Sequence, residues 1–400
     1  MHILYVTHGY KPAYRIGGPI WSVSAVAEGM VARGHRVTVF TTNSNLDEDL
    51  DVPVDRPVLV DGVEVWYFRR RDPIKKYFWW SKYASQSMGF LVTPALALSM
   101  RNLLPSVDIV HTQMPFVYPT MVAGRLAISA SKPLFYNQRG VFHPSRLGYR
   151  GLKKRLYIEL VEKPIMRRAS GLIALTPDEI ESYRALGIKT PCHVVPNGID
   201  VAQFRRAPRT ASLLALDIKQ SDQVILFLGR LHPAKGVDLL VDAFFRVASQ
   251  HPDAVLVIAG PDERGFSQKI RDQATRQNLA HRIRIPGMVM GDLKIDLLAR
   301  ADLFVLPSMG EGQSIAVLEA LASGTPVILS PECNFPVAGE VKAGAVVERN
   351  AKLIAQAISL YLSDPALRNA ASQAAYNLVR DRFAWPSIVG KLESIYQSSI

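Results

Sequence analysis

The stretch Asp302-Leu-Phe-Val-Leu-Pro307-Ser-Met-Gly-Glu311-Gly-Gln-Ser314-Ile-Ala-Val-Leu-Glu319-Ala-Leu-Ala-Ser-Gly324 reads as one strand, one glycine-rich turn and one helix. Asp302 to Leu306 is a short apolar run, the glycines turn the chain, Ser314 is placed to cap, and Gly324 stops the helix. The free N–H groups of Gly312, Gln313 and Ser314 then form a ready anion site at the helix start. Glu311 falls in the loop before the helix, and Glu319 falls inside it between Val317-Leu318 and Ala320-Leu321. A carboxylate in such an apolar run needs a partner, because an unpaired buried charge costs several kcal/mol. Two vicinal hydroxyls, as on a ribose, would supply one; an intramolecular salt bridge or an exposed helix edge are the alternatives.

Working outward, the same strand-then-helix unit recurs along the whole chain. In the first half the strand candidates are His2 to Thr7, Val37 to Thr42, Val63 to Phe68, Asp108 to Thr112, Pro133 to Asn137, Gly171 to Leu175 and His193 to Val195. A second series starts at Gln223 to Leu228 and continues through Ala254 to Ala259, Ile283 to Ile285, Asp302 to Leu306, Pro326 to Leu329 and Ala345 to Val347. Short apolar runs alternating with segments of helical period predict an α/β fold with mainly parallel sheets. Two series predict two doubly wound domains, separated by the turn-rich connector Pro196 to Pro208. One helix is well marked: after Ile16-Gly17-Gly18-Pro19, the residues Ile20, Val23, Val26, Ala27, Met30 and Val31 share a face until Arg33-Gly34. The glycine pair thus sits at a strand-to-helix turn, where open α/β sheets bind ligands, although a plain tight turn explains it equally well. No G-x-G-x-x-G is present, so a dinucleotide site is not supported.

The second series opens on Phe227-Leu-Gly229-Arg230-Leu-His-Pro-Ala-Lys235-Gly236. Arg230 and Lys235 both follow a buried strand, and two fixed cations beside backbone amides suit a diphosphate. Solvated surface charges are the alternative. Ala259-Gly260-Pro261 and Ile285-Pro-Gly287-Met288-Val289 are two further strand ends whose backbone could frame a base.

Composition narrows the class. The 400 residues, 48% hydrophobic, suffice for two to three domains, which excludes a disordered or disulfide-stapled chain. Cys192 and Cys333 are the two cysteines, in no metal-ligand spacing, and they fit a reducing compartment. The start, Met1-His-Ile-Leu-Tyr-Val6, reads as a strand rather than a secretory signal. The apolar stretch Met88 to Met100 contains Pro94 and falls short of the about 18 residues of a membrane span. A cytoplasmic protein is therefore expected. The net charge of +12 is uneven: 26 basic and 16 acidic residues precede position 206, and Pro73 to Ile158 holds twelve Lys/Arg against Asp108 alone. Such a field attracts anions.

Taken in order, Gly17-Gly18, Arg33-Gly34-His35, Asp108-Ile-Val-His111, Arg139-Gly140, Pro196-Asn-Gly-Ile-Asp200, Gly229-Arg230-Leu231 with Lys235-Gly236, Ala259-Gly-Pro261, Glu311 to Val327 and Phe383-x-Trp385 form a series. The series resembles the retaining GT-B glycosyltransferases of family 4, and Glu311 and Glu319 fit that family's E-x7-E motif. The resemblance spans nearly the whole chain. It implies two Rossmann-like domains facing across a cleft: an acceptor-side domain over 1–200, a nucleotide-sugar domain over 201–384, and a C-terminal segment of about 385–400 crossing back to the first. It implies transfer of a hexose from a UDP- or GDP-sugar to a glycan or lipid-linked glycan. Arg230 and Lys235 would bind the donor diphosphate, and Glu311 the transferred sugar. Glu319 would hold the ribose, with the amides of Gly312, Gln313 and Ser314 on the phosphates, Gly287 and Met288 at the base, and Gly17-Gly18 approaching from the other domain. Stabilising charge on a leaving group is worth about 3–4 kcal/mol per well-placed donor. No cofactor and no metal are expected.

The chain departs from that family where many relatives carry a sugar-facing histidine. Here the segment reads Tyr136-Asn-Gln-Arg139-Gly-Val-Phe-His143. Arg139, His143 and His111 are the candidates for the sugar or acceptor side, His111 equally well as a structural hydrogen-bonder. The acidic loop Asn43 to Asp55 is read as a solvated segment. The basic-aromatic stretches 67–90 and 149–157 suit an anionic membrane face, or else aromatics packed into the first domain's core. Nucleic acid is not expected, since no binding motif accompanies the charge. A GT-B epimerase or hydrolase and a non-catalytic sugar-nucleotide-binding protein are the competing readings.

Overall fold

The computed structural model describes residues 1–46, 48–71, 90–142, 151–262 and 265–400. The chain divides into two compact units, Met1–Asn197 with Trp385–Ile400, and Gly198–Ala384.

The first unit holds strands β1 (His2–Val6), β2 (Arg36–Thr42), β3 (Ser44–Asn45), β4 (Glu48–Asp49), β5 (Pro57–Val60), β6 (Val63–Phe68), β7 (Ile109–Gln113), β8 (Leu134–Asn137), β9 (Gly171–Ala174) and β10 (Cys192–Val194). Eight of them make one sheet in the order β10-β9-β8-β7-β1-β2-β6-β5. Every pairing in it is parallel except β5 with β6, which form an antiparallel hairpin. Asp61 and Gly62 both carry positive φ, 49° and 81°, the backbone that a two-residue hairpin turn needs. That Asp-Gly signal stands in the sequence, although β5 itself is not among the strands expected from it. Side chains alternate across the sheet. Leu4, Val6, Phe40 and Phe68 enter one core layer; Ile3, Tyr5, Val37, Val39, Val63 and Val65 enter the other.

The second layer is completed from the far end of the chain. Ile388, Val389, Leu392 and Tyr396, on the helix Trp385–Gln397, are buried in it. That helix lies against Gly18–Ala32, where a Cβ on Gly29 would come within 2.6 Å of Val389. The acidic loop is more built than expected: β3 and β4 pair, and Asp49 and Glu48 form ion pairs with Arg70 and Arg15.

The second unit is a six-stranded parallel sheet of β11 (Gln223–Leu228), β12 (Ala254–Ala259), β13 (Ile283–Gly287), β14 (Leu303–Leu306), β15 (Val327–Leu329) and β16 (Gly344–Val346), ordered β13-β12-β11-β14-β15-β16. Its strands are apolar on both faces and its core is continuous, as a sheet covered by helices requires. The connector is not all turn, since Asp200 caps the short helix Val201–Phe204 by accepting from the Ala202 N–H.

Strand order fixes where ligands can sit. Order reverses between β1 and β7 in the first unit, and between β11 and β14 in the second. In open parallel sheets the binding crevice lies outside the carboxyl ends of the strands at such a reversal.

Candidate active site

In the second unit the loops after β11 and β14 meet at that reversal. The first, Gly229 to Gly236, is held down by its neighbours: Gly229 N–H donates to Ala259 O at 3.0 Å and Leu231 N–H to Pro261 O at 2.9 Å. Gly260 sits so close that a Cβ there would lie 1.8 Å from Gly229 O, so this position accepts no side chain. His232 Nδ1 accepts from the Ala234 N–H and caps the turn Pro233–Lys235. Gly236, at φ +69°, then lets the helix Val237–Val247 begin directly beneath Pro307, whose carbonyl a Cβ would meet at 2.1 Å. The second loop is tied to the first, with Met309 N–H and Ser308 Oγ both donating to Ala234 O, at 2.7 and 3.0 Å.

These ties bring Lys235 Nζ to 2.5 Å from Glu311 Oε1. Glu311 is only 9% exposed, and its backbone is fixed on both sides: its N–H donates to Glu332 O, and Asn334 Nδ2 donates to its carbonyl. Arg230, on the same loop, is exposed. Glu319 is buried in the helix Ile315–Ala322 and meets Lys294 Nζ at 2.6 Å. Burial raises its carboxyl above the usual range, and the Lys294 ammonium opposes that. Lys294, from the helix Gly291–Arg300, is the residue that sequence reasoning missed; of the alternatives open for Glu319, the structure contains the salt bridge. Ser314 occupies the cap position of its helix but its side chain makes no capping bond, contrary to the expectation. The Gly312 and Ser314 amides donate to no carbonyl among the described residues. Gly287 ends β13 and Met288 stands exposed beyond it.

In the first unit Gly17, at φ +95°, caps the helix Gly18–Ala32, with open space where its Cβ would be. His111 belongs to the core: it is 1% exposed and its Nδ1 pairs with the Tyr396 hydroxyl at 2.5 Å. Burial first, and then Arg139, hold its pKa down to about 3. This matches the alternative of a structural hydrogen-bonder for His111. His143 lies outside the described residues. Arg139 stands at the carboxyl edge of the sheet, after β8, with φ +48°. Its Nε donates to Gln113 Oε1 at 2.6 Å and its Nη1 to Asn197 Oδ1 at 3.1 Å. His8, after β1 and also unforeseen, is buried with Nε2 unpaired among the described residues. Burial and Arg139 lower its pKa to about 4.

Residues 17–198 match the family described as glycosyl transferase 4-like domain, and residues 211–378 match glycosyl transferases group 1. The chain is a group 1 glycosyltransferase. Its sequence is 24% identical to an uncharacterized glycosyltransferase of Methanocaldococcus jannaschii over 99% of this chain and 98% of that one. A GDP-mannose-dependent mannosyltransferase of Corynebacterium glutamicum is 31% identical over 51% of this chain and 55% of its own. Among solved structures, HepE of Anabaena superposes with a TM-score of 0.75 at 18% identity, covering both chains in full. This glycosyltransferase therefore has the GT-B fold and acts as a transferase. Among its described residues no group of three or more His, Cys, Asp or Glu is placed to hold a metal ion, and no helix is long and apolar enough to cross a membrane.

Proposed function

We propose that this glycosyltransferase moves a hexose, with retention of anomeric configuration, from a UDP- or GDP-sugar to a glycan or lipid-linked glycan of the cell envelope or an exopolysaccharide. The observation that carries the reading is the Lys235–Glu311 pair, built at the strand-order reversal beside Arg230. The HepE structure, of the same fold, is a complex with UDP, which favours a nucleotide donor here. The cations of Arg230 and Lys235 take the donor diphosphate, and the amides of Gly312, Gln313 and Ser314 complete its cradle. Glu311 faces the sugar, Glu319 accepts from the ribose hydroxyls, and Gly287 and Met288 frame the base. The bond between C1 and the β-phosphate oxygen breaks as the acceptor oxygen adds to C1 on the same face. The acceptor's proton passes to the departing phosphate, leaving a glycoside and a nucleoside diphosphate. No protein nucleophile and no metal enter this scheme.

A lipid-linked acceptor is favoured by one surface. Leu152, Leu156 and Leu160 are exposed along the helical segment from Gly151, with Arg155 exposed among them. Apolar and cationic side chains together suit an anionic bilayer surface. Of the aromatics, Tyr67 and Phe68 are buried in the core rather than at the surface, and Tyr157 packs edge-on against Phe90. Residues 72–89 lie outside the described residues.

A panel of UDP- and GDP-sugars, with and without glycan acceptors, tests the reading. Turnover that needs an acceptor and yields a retained anomer supports it. Donor turnover without acceptor, or an inverted product, overturns it.

A further inference from the structure

Among the described residues Arg139 is a cation in no ion pair, with Glu179 acting on it only at a distance. Burial comes first among the causes that lower its pKa, to about 10, so the protein removes this guanidinium from water at a cost. Desolvated arginines are ordinarily repaid by a carboxylate in bidentate contact. Here both protein acceptors are neutral: the side-chain carbonyls of Gln113, at the end of β7, and Asn197. Among the described residues no carboxylate lies within ion-pair distance; Glu179 acts on it only through space, its own Oε2 accepting from the Leu175 N–H at 2.8 Å. Among the described residues Nε and Nη1 have hydrogen-bond partners and Nη2 has none.

The backbone is held to this purpose. Arg139 and Gly140 have consecutive positive φ, 48° and 74°, and a left-handed arginine persists only where its surroundings impose it. Asn137 Oδ1 imposes it here, accepting from the Arg139 N–H at 2.9 Å. The side chain is therefore a fixed fork at the carboxyl edge of the sheet, beside the β1–β7 reversal where ligands bind. His8, after β1, is kept neutral, and its Nε2, unpaired among the described residues, is a further polar atom for a ligand to satisfy.

We infer that Arg139 recognises an anionic oxyacid group, a carboxylate or a phosphate monoester, carried by the acceptor. The inference rests on the proposed transferase reading only for the word acceptor; the anion site itself stands on the first unit alone. Neutral hydroxyls would leave the guanidinium's charge uncompensated, whereas an oxyanion matches it at Nη2.

The test uses the full chain with Arg230→Ala and Lys235→Ala, so that phosphate cannot report from the donor loops. Inorganic phosphate, D-glucuronate and D-glucose are titrated while the Arg side-chain Nε–Hε resonances are followed by NMR, with sodium chloride matched for ionic strength. The expected result is a saturable shift of the Arg139 signal with phosphate or glucuronate, at least tenfold tighter than with glucose, the stronger of the two naming the oxyacid. In isothermal titration of the same ligands, Arg139→Lys should retain part of that affinity and Arg139→Gln should lose it. Equal responses to glucose and both anions, or anion shifts no larger than those of chloride, would overturn the inference. That outcome leaves the donor panel untouched, and failure of the donor panel leaves this site untouched.

Discussion

Lys235 Nζ and Glu311 Oε1 stand 2.5 Å apart, so the cation assigned to the leaving phosphate and the carboxylate assigned to the sugar neutralise each other before any donor arrives. A bound diphosphate competes for the same ammonium. Lys235→Ala should therefore lower kcat/KM by about 10²–10³, the usual consequence of losing one transition-state donor. Glu311→Gln should act on the same step, and the double variant should lose less than the product of the two single losses. Steady-state kinetics of the three variants checks this; multiplicative losses would mean that the two residues act independently.

Lys294 gives a pH-dependent expectation. Glu319 has its pKa raised above 4.5 by burial, with Lys294 pulling it down. The folded state then holds the Glu319 proton more tightly than the unfolded state, so the group's contribution to stability is intact below about pH 4.5 and falls as pH rises through the folded pKa. Lys294→Met removes the opposing ammonium, raises that pKa further and widens the loss. Denaturant unfolding should show the variant destabilised more at pH 8 than at pH 4.5, with a raised donor KM at neutral pH.

The buried histidines carry the opposite sign. His8 and His111 have folded pKa values of about 4 and about 3, below the usual 6.5. Their contribution is present above pH 6.5 and is lost as pH falls towards these values. Stability should decline from pH 6.5 to 4, and His111→Gln should flatten that decline.

Tyr396 links the C-terminal helix to His111 Nδ1 and to the Tyr5 hydroxyl, at 2.5 and 3.1 Å. Tyr396→Phe leaves both buried partners short of a hydrogen bond, a cost of about 1–3 kcal/mol. Unfolding curves should move by that amount while donor binding on the second unit stays unchanged.

Two glycines of equal φ separate crowding from conformation. Gly236 and Gly265 both have φ +69°, yet a Cβ at Gly236 would meet Pro307 O at 2.1 Å and one at Gly265 would meet nothing. Gly265→Ala should cost only the strain of a left-handed alanine, about 1–2 kcal/mol. Gly236→Ala should cost clearly more and should weaken donor binding, because Lys235 is its neighbour. Equal costs would mean that the loops after β11 and β14 shift apart freely.

Much of this was legible because strands buried on both faces write themselves as apolar runs. β11 and β12 have the ends read from the sequence, Gln223 to Leu228 and Ala254 to Ala259. The edge strand β5 escaped because Leu59, 77% exposed, carries no burial signal, although Asp61-Gly62 marked its turn. In the site, Arg230, Lys235 and Glu311 were visible because each lies in a loop after a marked strand, and Glu319 because it interrupts an apolar helical run. Lys294 and His8 were not, since Lys294 matters through a contact with a second helix and His8 through its burial, neither of which local spacing shows. Arg139 was visible as a departure, but its neutral carbonyl partners belong to β7 and to position 197, which no local pattern connects.

The helix Trp385–Gln397 has a consequence for synthesis. Ile388, Val389, Leu392 and Tyr396 complete a core layer whose other members begin at Ile3. Residues 198–384 can close their own core as soon as they leave the ribosome, whereas the first unit, though made earlier, waits for the last residues of the chain. The half translated first is thus the half finished last, and a ribosome stalled before residue 385 would hold a sealed second unit behind an open first one.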